Sequence, residues 1–267
     1  MTFSDSKPHY ALLDGLRGVA ALLVVWYHVF EGFQFAGNKP VIDFINHGYL
    51  AVDFFFILSG FVIGYAYDDR WGKSLTMGGF FRRRLIRLHP MVVMGAVIGA
   101  VSFLLTGMER WDGSHSTLLL TFAALLCSCL MIPALPGMPR EVRGNGEMFP
   151  LNGPCWSLFF EYIGNMLYAL VIHRLSTRAL AWLSASLCCT LTWFAVTNQS
   201  GYGSIGVGWT YPLMYAFYMW LIKNQLYTFT ETWPLALVTV ASSICIAWLC
   251  LKLYDEPVRK WLRSICK

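Results

Sequence analysis

Residues 49–67 read YLAVDFFFILSGFVIGYAY, nineteen positions with one charged side chain, Asp53. As a helix such a run is about 28 Å long, close to the hydrocarbon thickness of a bilayer. In that medium every backbone amide must be satisfied inside the segment, so the run is expected to cross a membrane as a helix. The whole chain has this character. Of its 267 residues 57% are hydrophobic and 13% charged, and the mean hydropathy is +0.52. A soluble domain is about 45–50% apolar and about 25% charged. A soluble globular fold, a disordered chain and a nucleic-acid binder are all excluded by the shortage of polar surface and charge. What remains is all-α: a polytopic transmembrane helix bundle.

Scanning outward from 49–67 gives eight candidate crossings, at 16–34, 49–67, 90–107, 117–135, 156–173, 179–197, 205–222 and 233–252. The fourth is counted as a crossing, although Pro133 and Pro136 after it also allow a re-entrant reading, and the seventh is Gly-rich at its start and carries Pro212. No polar stretch is long enough for a soluble domain, so residues 1–267 read as a single transmembrane domain. No cleavable signal peptide is evident, because the first apolar run passes Trp26, Tyr27 and His28 without a small-residue cleavage site. With the N-terminus inside, 15 of the 20 Lys and Arg fall on the inner side, Arg140 and Arg143 among them. The outer five are Lys39, Arg110, Arg174, Arg178 and Lys223. The positive-inside rule then places both termini in the cytoplasm. The eight cysteines lie mostly in or beside apolar runs and form no C-x-x-C pair, so they read as small buried side chains, with no metal site.

Ionisable residues inside a bilayer cost about 2.5–3.5 kcal/mol each at mid-depth, so they usually face a cavity or a partner. Here they are Arg17, His28 and Glu31 in the first crossing, Asp53 in the second and Glu161 in the fifth. Arg17 and His28 are eleven residues apart, about 20° past three full turns, and share a helix face about 16 Å long. An imidazole is the usual general base near neutral pH. Equally, Arg17 could snorkel to headgroups and His28 could bond a neighbouring helix. Asp53, at the outer end of its crossing, is expected near the depth of His28, where it could fix the imidazole tautomer or simply complement the helix dipole. Arg82, Arg83, Arg84 and Arg87, ahead of His89-Pro90, suit either topology and anionic lipid or the phosphates of a soluble donor. Ser157 and Glu161 share a helix face, and Glu161 falls toward the inner leaflet if the fourth segment crosses.

Taken in order, these residues resemble the acyltransferase-3 family of integral-membrane O-acyltransferases. Leu13-Asp14-Gly15-Leu16-Arg17-Gly18, continuing to His28, resembles its first helix, and Gly48 to Phe61 its second. Phe81-Arg82-Arg83-Arg84-Leu85-Ile86-Arg87-Leu88-His89-Pro90 resembles its arginine motif. Trp156-Ser157-Leu158-Phe159-Phe160-Glu161 resembles its W-S-L-x-x-E segment, and Glu256-Pro257-Val258-Arg259 its C-terminal ending. The resemblance implies an inner-membrane enzyme that moves an acyl group, often acetyl, from cytoplasmic acyl-coenzyme A to a hydroxyl of a cell-envelope sugar. It implies no permanently bound cofactor. Its partners would be membrane lipid, the acyl-coenzyme A donor, and a surface glycan or lipid-linked sugar as acceptor, with no nucleic acid. His28 would be catalytic, with Asp53 and Glu161 supporting the site, and Arg17, Arg82, Arg83, Arg84 and Arg87 would hold the donor. The family commonly has ten crossings against about eight here, and where its penultimate helix often carries a His this chain has Phe217. The rival readings are a transporter using Arg17, Asp53 and Glu161 for ion coupling, and a shortened, inactive relative acting as a partner subunit.

Overall fold

The computed structural model describes residues 10–198, except 38–47, 49, 136, 145 and 199 onward, then 251–265 with scattered positions between 237 and 249. Most of the described residues are helical. They form α1 (Ala11–Gly37), α2 (Leu50–Tyr67), α3 (Met77–Leu105), α4 (Leu118–Cys129), α5 (Cys155–Leu170), α6 (Thr177–Asn198) and α7 (Glu256–Ile265). Short 3-10 turns follow α2 and α5, and a π-helical turn, Leu251–Asp255, leads into α7. Among the described residues, four helical stretches are long and apolar enough to span a bilayer: Leu12–Phe30, Leu50–Arg70, Met77–Leu105 and Cys155–Arg174. Their outer faces carry large apolar side chains, such as Leu105 at 83% and Ile57 at 73% exposure, as a lipid-facing surface requires. The protein is a multi-pass membrane protein. Of the eight expected crossings, the seventh lies outside the described residues and the eighth does so in part.

The central element is α3. Sequence reading began this crossing at residue 90, after the arginines. The helix instead starts at Met77, where the Thr76 hydroxyl caps it by accepting from Gly79 N at 3.2 Å, and it runs through Pro90. Its 29 residues span about 44 Å, so one end projects well past a hydrocarbon layer of about 30 Å. The arginines therefore stand on helical turns and not in a loop. Phe80, Arg84, Val92, Ala96, Ala100 and Phe103 recur at three- and four-residue multiples and form the buried stripe of α3.

Packing along this stripe fixes the order of the bundle. Phe80 clusters with Ile63 of α2 and with Tyr168 and Ala169 of α5. The Tyr10 ring lies against Phe61 and Tyr65, which brings the start of α1 to the same end. We call this the basic end, and α7 also packs on α3. At the opposite, far end, Ala100 and Phe103 pack against Ala124 of α4 and against Val142 and Leu151.

The fourth segment does not cross. Helix α4 has 12 residues, about 18 Å, and stops at Leu130 beside mid-α3. Residues 131–154 then turn back without a helix. Ala134 N donates to Met148 O at 2.7 Å, and Trp111 N to Arg143 O at 2.9 Å, which holds the segment to the far end. It descends along a groove cut by Gly95 and Gly99. A Cβ on Gly99 would overlap the Leu151 carbonyl, and one on Gly95 would meet the Asn152 side chain. Phe149 and Cys155 reach Val92, where α5 begins. Irregular backbone at membrane depth is tolerated because protein surrounds it.

One consequence corrects the charge placement. Because α4 turns back, α5 runs toward the basic end. Arg140 and Arg143 therefore sit at the far end, away from Arg82–Arg87, while Arg174 and Arg178 sit at the basic end. Among these four arginines the exchange is two for two, so by itself it leaves the expected balance of cations unchanged.

Candidate active site

Sequence reading singled out eight residues, and the structure sorts them into three levels along the bundle. At the basic end the arginine motif divides by helix face. Arg82 and Arg87 are exposed, Arg83 is half-buried, and Arg84 lies on the buried stripe with 3% exposure. A guanidinium there needs a carboxylate, and Glu161 of α5 supplies it through an ion pair from Arg84 Nη2 to Glu161 Oε1. The same oxygen accepts from Ser59 Oγ of α2 at 2.8 Å. One turn on, Asn165 Nδ2 donates to the Glu161 carbonyl at 2.7 Å. Glu161 thus ties α2, α3 and α5 together. Beside it, Tyr162 Oη lies 3.4 Å from His89 Nδ1. Ser157, on the same face as Glu161, only donates to the Pro154 carbonyl of its own helix start, at 2.8 Å.

Below this junction the basic end carries an aromatic and acidic cluster. Tyr168 Oη donates to Asp68 Oδ1 at 2.6 Å and accepts from Trp71 Nε1 at 3.1 Å. Trp71 in turn stacks on His173, with centroids 4.2 Å apart. The C-terminal motif also belongs here. Asp255 is fully buried and pairs with Arg259, whereas Glu256 pairs with Lys252 on the surface at 2.6 Å. That hydrogen bond holds the Glu256 carboxyl below its ordinary range. Burial, and then the charges of Arg263 and Arg87, pull the Arg259 guanidinium down from its own.

On α1, Arg17 is partly exposed and bound to Asp14 at 3.1 Å. His28 is 1% exposed, its ring edge-on to Tyr27 with centroids 5.2 Å apart. The helix registers place both residues. Ala51 packs with Ala20 and Val24, and Gly48 touches Leu23 and Tyr27. Ile63 packs with Phe80. Counting along these antiparallel pairs, Arg17 is level with about residue 87 of α3, and His28 with about residue 98. The Arg84–Glu161 pair therefore lies about 21 Å below the imidazole along the bundle.

Asp53 departs from expectation. The same register sets it level with about residue 20 of α1, about 12 Å from the His28 level. It is exposed and makes no hydrogen bond to His28. The physical reason is that α1 continues to Gly37 while α2 begins only at Leu50, beside Leu23 and Tyr27, so α2 starts below the imidazole.

The structure also shows polar residues that sequence reading passed over. In the re-entrant segment Glu141, Arg143 and Glu147 are all buried. Arg143 Nε donates to the Pro150 carbonyl, and its guanidinium sits 5.1 Å above the Phe103 ring. Glu141 Oε1 accepts from Gly144 N at 2.9 Å. Their signal in the sequence was the alternation Arg140, Glu141, Arg143, Glu147 within a stretch begun by two prolines. Ser59, Asn165 and Asp255 carried no such signal.

Comparisons with known proteins identify the family. The profile of an acyltransferase domain family, acyltransferase-3, matches residues 10–211. The product called protein 2 in picA locus, from Rhizobium radiobacter, is 38% identical over 175 residues, covering 62% of this chain and 84% of its own. Acyltransferase MdmB from Streptomyces mycarofaciens is 28% identical over 192 residues, or 67% of this chain and 44% of its own. Peptidoglycan O-acetyltransferase OatA from Listeria monocytogenes is 34% identical over 95 residues, or 35% and 14%. The chain thus spans less than half of either named acyltransferase. No solved structure matches it. With its motifs in order on a membrane helix bundle and three quarters of its length under the family profile, the chain belongs to the acyltransferase-3 family of membrane O-acyltransferases.

Proposed function

We propose that the chain transfers an acetyl-sized acyl group from cytoplasmic acyl-coenzyme A to a hydroxyl of a cell-envelope carbohydrate. The observation that carries this reading is the burial of His28 within the protein, on the helix whose Arg17 is level with the arginine motif. An imidazole enclosed at that depth is shielded from lipid and positioned for proton transfer. It takes the proton of the acceptor hydroxyl as the oxygen attacks the thioester carbonyl. The carbon–sulfur bond breaks, the coenzyme leaves as thiolate, and the imidazolium returns the proton to sulfur. The products are an O-acyl ester and free coenzyme A.

In this reading the donor's charged portion rests at the basic end on Arg17, Arg82, Arg83 and Arg87. Its long flexible thioester arm extends inward toward His28. Arg84 and Glu161 act as positioning residues, because each neutralises the other inside the bundle. The exposure of Asp53 suits a carboxylate that meets substrate more than one that orients a ring. The cation imbalance supports an inner-membrane location with the basic end and both termini cytoplasmic. With α4 turning back, that arrangement requires an odd number of crossings between Asn198 and Leu251. The eight-crossing count needs both 205–222 and 233–252, so one of these would have to be re-entrant.

The test is mass spectrometry of envelope polysaccharide from strains with and without the gene, and with His28→Ala. Ester-linked acyl groups should depend on the gene and be lost in the variant. Equal acylation in all three strains would contradict the proposal.

A further inference from the structure

A concavity on α2 has no part in the acyl transfer proposed above. It is an open groove of about 520 Å³ that runs from Gly60 to Asp68 and Asp69, with Phe61, Gly64 and Tyr65 along it. Over those residues it is about 14 Å long. Its chemistry changes along that length. Phe61 and Tyr65 stack with ring centroids 6.1 Å apart, and Tyr10 leans on Tyr65 at 5.2 Å, so the inner part is an aromatic wall. The carboxylates stand at the aqueous end. Ile63 packs with Phe80, so Asp68, five residues on, lies about 8 Å farther out, past the start of α3 at Met77.

The Asp68 carboxylate is held in place and aimed. Its Oδ1 accepts from Tyr168 Oη at 2.6 Å, and Tyr168 is buried and accepts in turn from Trp71 Nε1. The other oxygen faces the groove, since a Cβ on Gly64 would lie 3.4 Å from Asp68 Oδ2. A helix C-terminus carries about half a negative charge, and cations suit it. The turn that follows α2 instead opens with Asp68 and Asp69. Arg70 ends that turn but does not line the groove, and none of the described residues lining it is cationic. A cation from outside would offset this concentration of negative charge.

We infer that the groove binds the headgroup of a membrane aminophospholipid. Its primary ammonium donates to Asp68 Oδ2, and its glycerol and first methylenes lie along Phe61 and Tyr65. Gly60 and Phe61 are exposed on a spanning helix, so a lipid reaches the groove from the bilayer. A primary ammonium suits a carboxylate because it donates charge-assisted hydrogen bonds. A quaternary ammonium is held by a cage of ring faces, and these rings stack on one another instead. An anionic headgroup is repelled. A second copy docking at Gly60 and Gly64 would bring its own carboxylates against these. The inference requires nothing of the acyl-donor reading.

The experiment uses the purified full chain in detergent micelles, with phosphatidylethanolamine, phosphatidylcholine and phosphatidylglycerol of one short acyl composition. Binding is read by native mass spectrometry and by unfolding temperature. Wild type should hold one phosphatidylethanolamine roughly tenfold more tightly than either other lipid, and that lipid should raise its unfolding temperature most. Asp68→Asn removes the charge yet keeps an acceptor for Tyr168, and should lose the preference. Gly60→Leu fills open space at unchanged charge and should lose it too. Asp112→Asn, at an exposed carboxylate of the far end, should keep it. Equal binding of the three lipids by wild type, or a preference that survives either groove variant, overturns the site. If free ethanolamine protects as well as the lipid, the occupant is a soluble amine and the lipid assignment is overturned. A dimer that Gly60→Leu dissociates would give the groove to a second copy and overturn it as well.

Discussion

The basic end and the far end of this bundle both bury charged groups, in opposite ways. At the basic end the charges stand on regular helices, and the partners come from different helices: Arg84 from α3, Glu161 from α5, with Ser59 of α2 donating to the same oxygen. At the far end the charges stand on irregular backbone, where Glu141 accepts from Gly144 N and Arg143 donates to the Pro150 carbonyl, both inside the segment. The first arrangement fixes how helices sit relative to one another. The second satisfies a stretch of chain that enters the membrane without a ladder of its own. The comparison teaches that a buried charge in such a protein marks either a joint between helices or a substitute for secondary structure, and the two should fail differently.

An all-or-none test addresses the geometry itself. In a cysteine-free background, single cysteines placed at Met138 and at Ser114 should react with an impermeant thiol reagent from the same side of the membrane, and one placed at Arg82 from the other. Labelling of Met138 together with Arg82 would restore a crossing for α4. The largest energetic effect is expected at the joint. Glu161→Leu strands the buried Arg84, at a cost of about 3–5 kcal/mol, and should remove most of the folded protein, as read by size exclusion and unfolding temperature in detergent. Adding Arg84→Met should recover much of that loss. A double variant no better than the single would show that the two residues act apart. At the far end, Gly99→Val pushes into the Leu151 carbonyl and should cost about 1–3 kcal/mol, lowering the unfolding temperature. Gly60→Ala, with open space around its Cβ, should not lower it. The smallest effect belongs to the exposed Asp14–Arg17 pair on α1. Asp14→Asn should cost only about 0.3–0.5 kcal/mol, while Arg17→Gln should also raise KM for the acyl donor.

Much of this was legible in the sequence because lipid leaves so few options. The run at 49–67 could only be a spanning helix, and α2 occupies Leu50–Tyr67. The scarcity of charge made Arg84 and Glu161 visible, and the structure joins them. Three things were not legible. The third crossing was begun only at residue 90, past the arginines, yet a helix of 29 residues projects beyond the hydrocarbon and carries them on its protruding turns. The fourth segment was counted as a crossing on hydropathy alone, although its prolines warned of an early end, and the side assigned to Arg140, Arg143, Arg174 and Arg178 followed from that count. The depth of Asp53 was inferred from its place in its own helix. The register between α1 and α2 depends on how closely Gly48 approaches Leu23 and Tyr27, which no single-helix pattern encodes.

The claim on which the account depends is that the enclosed imidazole of α1 transfers the acceptor's proton. Its most direct measurement is transfer of radiolabelled acetyl from acetyl-coenzyme A to envelope glycan by purified chain in proteoliposomes, comparing wild type with a folded His28→Ala variant. The account predicts alkali-labile label on the glycan with wild type and a loss of about a hundredfold or more in the variant. Equal labelling by a folded His28→Ala protein would contradict it.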